Sequence, residues 1–288
     1  MNKIKNIIAF AIVSLVIYSC SSGSSSDVDD FDHEAQASID NDTLVQFLKN
    51  HYYNTELDSV KALVSGETNL FENISLMKVT ENDIDYTLYY YVDRQGTPNI
   101  DKGNPTVMDS VYVKYSGQRI IRTDTLSYTF DSNEGVWFTL NDVVRGWSHG
   151  FTQFKGGNNV TNNGPITYED GGKGVLFIPS GLAYGNTGNV SIAPNECLLF
   201  YIELFDLVKD TDHDNDGVAS IFEDPDGDDE PRNDDTDLDG VPNYFDVDDD
   251  GDGILTIEED ANGDGNPAND FNDPNNPTLA DYLNPDIN

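Results

Sequence analysis

This chain of 288 residues is poor in cysteine (two), histidine (four) and methionine (three), and carries only 15 lysines and arginines against 53 aspartates and glutamates. Each scarcity removes a class of protein. Two cysteines, Cys20 and Cys197, cannot build a disulfide framework. The histidines, at 33, 51, 149 and 213, do not cluster as a zinc site requires. A net charge of -38 repels phosphate, which argues against nucleic acid and anionic membranes as partners and makes cations the natural counterpart. The longest apolar stretch, from Ile7 to Ile17, is short for a membrane span.

The charge that is present is uneven. From Asp210 onward there are 27 acidic residues and one basic one, Arg232, so that segment carries -26 and the first 209 residues carry only -12. Two regimes share the chain. The amino terminus, "MNKIKNIIAFAIVSLVIYSC", has a basic start at Lys3 and Lys5, an apolar centre, and Ser19 ahead of Cys20, which reads as a secretory signal. The small residue before a cysteine resembles a bacterial lipobox. That resemblance implies that Cys20 is the lipidated first residue of an exported protein anchored to the cell envelope, at the outer membrane; an ordinary signal with an incidental cysteine is the alternative. The boundaries expected are 1–19 for the signal, 20–33 for a Ser/Gly/Asp tether, 34–82 for a helical segment, 83–209 for the main domain and 210–288 for an acidic region.

Within 34–82, Leu44, Val45, Phe47, Leu48 and Tyr52 recur at helical spacing behind cap-competent Asp and Asn residues, predicting one amphipathic helix with a solvated or packed His51 at its end. From Ile84 the period becomes two. Ile84, Tyr86, Leu88, Tyr90 and Val92 alternate, as do Val111 to Tyr115, and further strands are predicted at 120–130, 136–140, 173–178 and 197–208. Cys197, in an apolar run, reads as a small buried hydrophobe. One short helix fits "GWSHGFTQF", where Trp147, Phe151 and Phe154 share a face. A helix crossing an antiparallel sheet gives an α+β fold.

"VYVKYSG", "TFDSN", "FTLNDVVRGW", "FIPSGLAYGNTG" and "APNECLLFYIELFDL" occur in the order found in FKBP-type peptidyl-prolyl cis-trans isomerases, which residues 83–209 resemble. The resemblance implies a curved antiparallel β-sheet wrapping a short α-helix, with Trp147 as the floor of a proline-sized pocket and Tyr115, Phe130, Asp131, Val143, Val144, Tyr184, Ile192 and Phe200 around it. A core role for Trp147 and a turn-capping role for Asp131 are the plainer alternatives. Rotation about an X-Pro bond breaks no covalent bond, so neither nucleophile nor metal is needed, and no catalytic cofactor is expected. Two stretches depart from the pattern: the fifteen residues from Tyr115 to Phe130, and the insertion at 156–174, read as a hairpin or long loop that shapes the pocket's rim or covers it.

In the acidic region, "DHDNDGVASIFE" puts Asp212, Asp214, Asp216 and Glu223 at positions 1, 3, 5 and 12 with Gly217 at 6. "DTDLDGVPNYFD" repeats this with Asp235, Asp237, Asp239 and Asp246, and "DDDGDGILTIEE" with Asp248, Asp250, Asp252 and Glu259. Alternate carboxylates, a glycine turn and a backbone carbonyl at position 7 (Val218, Val241, Ile254) follow the logic of calcium loops. No amphipathic helices flank them. The run is similar to thrombospondin type-3 calcium repeats, although without cysteines; a disordered acidic spacer is the alternative. Past Asp260 the pattern weakens and no site is assigned. The combined expectation is an envelope-anchored isomerase acting on X-Pro bonds of exported client proteins, with a structural calcium-binding tail. The competing expectation is a non-catalytic proline-binding or adhesion module with the repeats as a spacer.

Overall fold

Asp32 accepts a hydrogen bond from the Ala35 amide at 2.9 Å, which caps helix α1, His33–Asn50. The computed structural model describes residues 30–287. The expected signal at 1–19, the lipidation site Cys20 and the tether up to residue 29 lie outside the described residues. Ala37, Asp40, Leu44, Phe47 and Leu48 form the buried face of α1.

Past α1 the rest of 34–82 is strand and loop, with one short 3-10 helix at Leu70–Glu72. Strands β1 (His51–Asn54) and β2 (Ser59–Ala62) form a hairpin, and β3 (Ser75–Glu81) pairs with β4 (Ile84–Arg94) from Ser75 opposite Tyr90 to Glu81 opposite Ile84. The boundary expected at 83 therefore falls inside a hairpin turn. His51 is packed rather than solvated: its ring stacks on Phe47 at 3.8 Å and Nδ1 lies 2.7 Å from the Phe47 carbonyl.

The main sheet continues with β5 (Ser110–Arg122), β6 (Thr125–Leu126), β7 (Asp131–Thr139), β10 (Gly172–Ile178) and β11 (Cys197–Val208). Its order is β3-β4-β10-β11-β5-β6, with β7 also pairing β5, and every pairing is antiparallel. Register shifts interrupt β4/β10, β5/β11, β5/β6 and β5/β7, and such bulges bend strands and raise their twist. The long connection from Tyr115 to Phe130 resolves into the end of β5, a turn and β6. The insertion at 156–174 contains a two-residue hairpin, β8 (Asn158–Asn159) with β9 (Tyr168–Glu169).

Both faces of this sheet are covered. Val175, Phe177, Cys197 and Leu199 pack with Leu44, Phe47 and Leu48 of α1. Their neighbours Leu176, Ile178, Leu198 and Phe200 point the other way, into the core around Trp147, Phe151 and Phe154. Continuous apolar runs such as "GVLFI" and "CLLF" require cover on both sides, because alternate side chains leave opposite faces. Asp40 ties α1 to the sheet's far end: its Oδ2 accepts from the Ser180 amide at 2.7 Å and the Ser180 hydroxyl at 2.6 Å.

Helix α2 (Arg145–Phe151) lies on the second face. A Cβ at Gly146 would collide with Ile178, and one at Gly150 would stand 2.6 Å from Leu176 Cδ1. The glycine pair lets the helix backbone rest directly on β10. Phe154 follows the helix end and is fully buried with Trp147 and Phe151. Replacing Gly146 by alanine should cost about 1–3 kcal/mol by overpacking, more than the ~1 kcal/mol of helix propensity it gains. Denaturant unfolding of Gly146→Ala checks this, and a midpoint equal to that of the parent would mean that the contact is loose.

Candidate active site and acidic loops

Trp147 is reached edge-on by four rings. Its ring centroid lies 4.9 Å from Tyr115, 5.1 Å from Phe200, 5.2 Å from Phe151 and 5.6 Å from Phe138, with interplanar angles between 72° and 83°. Edge-to-face packing from several sides fixes the indole plane, which becomes the base of a cavity of about 490 Å³. Tyr115, Phe130, Asp131, Val143, Val144, Tyr184 and Phe200 line that cavity with it. Ile192 does not. It is 2% exposed and packs in the core cluster with Trp147, because the 189–192 turn pulls it inward through the Asn189 side chain, whose Oδ1 accepts from the Ile192 amide at 2.9 Å.

Asp131 sits exposed at the mouth, and its Oδ2 accepts the Tyr115 hydroxyl at 2.7 Å. Burial first, and then this carboxylate, push the Tyr115 hydroxyl well above its ordinary range, so it stays a donor. Tyr184 is raised for the same two reasons, burial and the charge of Asp131. The bulge between Val113 and Tyr115 on the β5/β7 pair is what brings Tyr115 and Asp131, two positions out of register, into line at the site.

Four lining residues escaped the sequence reading: Asp142, Arg145, Ala183 and Arg232. Arg145 is 7% exposed; its Nε pairs with Glu81 Oε2 at 2.8 Å and its Nη2 with Glu230. Arg232 pairs with Glu81 at 3.1 Å and with Glu230 at 2.5 Å. Burial works against ionisation of Glu81, but the bonds and charges of the two arginines outweigh it and hold Glu81 below the usual carboxylate range. The available signal was Arg232 itself, the single cation of a 79-residue acidic segment. The insertion at 156–174 takes no part in the cavity. Tyr168 instead stacks on Phe205 with ring centroids 5.7 Å apart and donates to Asp206, well along β11 from Phe200.

The acidic region belongs to the same compact unit as the sheet. It docks through Tyr244 and Ile221 against Val107 and Met108, and through the Thr211 hydroxyl, which accepts from the Ser110 amide at 3.1 Å. The three expected carboxylate sets occur as tight groups: Asp212, Asp214 and Asp216; Asp235, Asp237 and Asp239; Asp248, Asp250 and Asp252. In each, the amide of residue 6 donates to the first aspartate and the amide of residue 7 to the third, with Val218, Val241 and Ile254 at 7. Gly217, Gly240 and Gly253 have φ of +100°, +97° and +94° there, a region that favours glycine.

The same winding occurs twice more. Asp224, Asp226 and Asp228 form a further group, with Asp229 (φ +67°) at position 6 donating to Asp224 at 2.9 Å. From Asp260, Gly265 donates to Asp260 at 2.6 Å and Asn266 to Asp264 at 3.0 Å, so the turn pattern continues past the point where no site was assigned. Starts at 212, 224, 235, 248 and 260 make a repeat of about twelve residues. The second was hidden because its glycine stands at position 4 and aspartate, which tolerates left-handed φ, fills position 6.

The distant acids face these groups. Glu223 groups with Asp216 and with Asp249, which belongs by sequence to the fourth turn. Both oxygens of Glu223 and both of Glu259 are buried without a hydrogen-bond partner. Burial, then Asp216 and Asp249, push Glu223 up to about 10; burial, then Asp250 and Asp252, push Glu259 up to about 8. Asp246 is raised by burial and by Asp239, Asp237 and Asp248. Buried carboxylates that oppose one another and lack donors fit a hard cation with oxygen ligands.

A family model described as FKBP-type peptidyl-prolyl cis-trans isomerase matches residues 101–205. The chain is 32% identical over 154 residues to an "FKBP-type peptidyl-prolyl cis-trans isomerase FkpA" of Aeromonas hydrophila, covering 53% of this chain and 49% of that protein. It is 33% identical over 103 residues to the protein of the same name from Escherichia coli strain K12, covering 36% and 33%, and 30% identical over 107 residues to "Peptidyl-prolyl cis-trans isomerase Mip" of Coxiella burnetii, covering 37% and 40%. A crystal structure of FkpA from Escherichia coli aligns with 46% of this chain and 52% of that one, at 29% identity and a TM-score of 0.33. The chain spans about half or less of the length of these curated relatives. The matched segment runs from the approach to β5 through most of β11 and holds the whole set of residues first read around Trp147, so this chain carries an FKBP-type peptidyl-prolyl cis-trans isomerase domain.

Proposed function

We propose that this chain accelerates rotation about X-Pro bonds in exported proteins, anchored to the cell envelope through Cys20, with a tail stiffened by calcium. The observation that carries the reading is the Tyr115–Asp131 hydrogen bond beside a cavity floored by Trp147. A prolyl ring resting on the indole would leave its amide among apolar walls. Planar amides carry charge separation that water stabilises, so removing water favours the twisted state in which that separation is lost. Asp131, oriented by Tyr115, places a fixed negative charge at the cavity mouth, and the raised Tyr184 hydroxyl remains a donor for a substrate carbonyl. None of these roles requires a cofactor.

Removing the floor by Trp147→Ala should lower kcat/KM by roughly 30–100-fold, the equivalent of about 2–3 kcal/mol of apolar contact, and Asp131→Ala by about tenfold. Exchange spectroscopy on a short Leu-Pro peptide measures both. A folded parent chain that leaves the exchange rate unchanged would replace catalysis by proline binding alone.

Calcium in the tail is supported by the unpartnered oxygens of Glu223 and Glu259. The twelfth-position acids Glu223, Asp246 and Glu259 would close the first, third and fourth turns, and the carbonyls of Val218, Val241 and Ile254 would complete them. Such sites are stable with the ion and self-repelling without it. The pH dependence follows in sign. Carboxylates raised in the folded state, as Glu223 and Glu259 are, favour folding while protonated, and that contribution is lost as pH rises from the ordinary carboxylate range through about 8 to about 10. Calcium binds the ionised form, so its stabilisation should be large near pH ~8 and small near pH ~4. Thermal unfolding with calcium and with chelator at both pH values checks this; equal shifts at both would exclude carboxylate ligation.

A further inference from the structure

Arg232 comes from the acidic region yet lines the cavity floored by Trp147. Its neighbour Glu230 holds both arginines: Arg145 Nη2 and Arg232 Nε each bond to the Glu230 carboxylate. Arg145 opens helix α2 two residues before the indole, so one glutamate of the tail grips both the start of the pocket helix and the tail's own contribution to the pocket wall.

Glu230 also occupies a defined place in the second turn. Counting from Asp224 it is residue 7, and its amide donates to Asp228 Oδ1 at 2.9 Å, as Val218, Val241 and Ile254 do in their own turns. Asp224, Asp226 and Asp228 bring carboxylate oxygens within 4.8 Å of one another. A second observation points to a cation there. Asp234 is 6% exposed, its Oδ2 has no hydrogen-bond partner, and the three charges acting on it are those of Asp226, Asp224 and Asp228. A carboxylate buried among three others, with an oxygen left unbonded, is a ligand set for a hard dication.

We propose that Asp224, Asp226, Asp228 and Asp234, with the Glu230 carbonyl, bind a calcium ion, and that this ion sets the wall of the prolyl pocket because the Glu230 side chain holds Arg145 and Arg232. The proposal deepens the isomerase reading and rests on it. Ion and pocket meet in one residue: its main chain faces the cation and its side chain faces α2. Without the ion, mutual repulsion among the four aspartates spreads the turn, Glu230 withdraws, and the wall that Arg232 forms is lost. The coupling is reciprocal, so a bound peptide that needs this wall tightens calcium at this turn by the same factor.

The test uses the full chain, titrated with calcium. Calorimetry counts the ions, the Trp147 indole N–H resonance reports the pocket, and a Leu-Pro peptide reports its affinity. In the parent chain calcium should shift the resonance and tighten the peptide about three- to tenfold. Asp226→Asn with Asp228→Asn should remove one ion while the other turns still fill, and should abolish both responses. Glu230→Gln should keep the number of ions and lose the response, which separates a broken link from a broken fold. An unchanged ion count in the double variant would overturn the site, and a Trp147 resonance that ignores calcium in the parent would overturn the link. A parent chain that catalyses nothing but keeps the calcium-dependent Trp147 shift would sink the isomerase reading while supporting the link.

Discussion

The contact between two glycines of α2 and the β10 strand controls where everything else at the site stands. With Gly146 against Ile178 and Gly150 against Leu176, the helix sits at backbone distance from the sheet, and Trp147 is driven among Tyr115, Phe138 and Phe200. The same placement brings Arg145 to the cavity's edge, 7% exposed, where a buried cation must find carboxylates. One comes from β3 and the other from the acidic region. A steric fact about two small residues thus leads, through the charge behind them, to the docking of a segment some eighty residues downstream.

That segment is organised by electrostatics rather than by an apolar core. Its own buried apolar cluster is small: Val218, Ala280, Tyr282 and Leu283. Elsewhere its turns are held by side-chain carboxylates accepting backbone amides, one aspartate organising each turn. This leaves oxygens facing inward in excess of the donors available, the arrangement on which the proposed calcium binding rests. The sheet domain shows the opposite pattern, with an apolar core on each face and few buried polar ties, such as Asp40 to Ser180.

Much of this was legible in the sequence, and the failures have physical reasons. Period-two alternation located β4 and the start of β5, continuous apolar runs marked β10 and β11, and the spacing of Trp147, Phe151 and Phe154 located α2. β1, β2 and β3 were overlooked since "HYYN" and "SLMKVTE" lack clean alternation, and β3 lies at the edge of the sheet with few buried positions. Eight of the nine pocket residues read from the sequence line one cavity, whereas Ile192 turns into the core through a side-chain bond that no pattern encodes. Arg145 and Arg232 were invisible as a pair because eighty-seven positions separate them. Three of the tail's five turns follow the full template; the second has Asp229 where the template needs glycine, and the fifth has Asn262 at position 3 and Phe271 in place of the twelfth-position acid.

Asp249 has one further consequence. It follows Asp248 in the fourth turn, yet its carboxylate joins Asp216 and Glu223 of the first, and Tyr282, from near the carboxyl end, is buried over that group. Tandem repeats ordinarily gain stability one unit at a time, each resting on its neighbour. Here the first unit is incomplete until the fourth and the final turn have been laid against it, which converts a linear array into a closed circuit. Opening the fourth turn or the carboxyl end therefore uncovers part of the first, so these three pieces of the tail are coupled although they lie far apart in sequence.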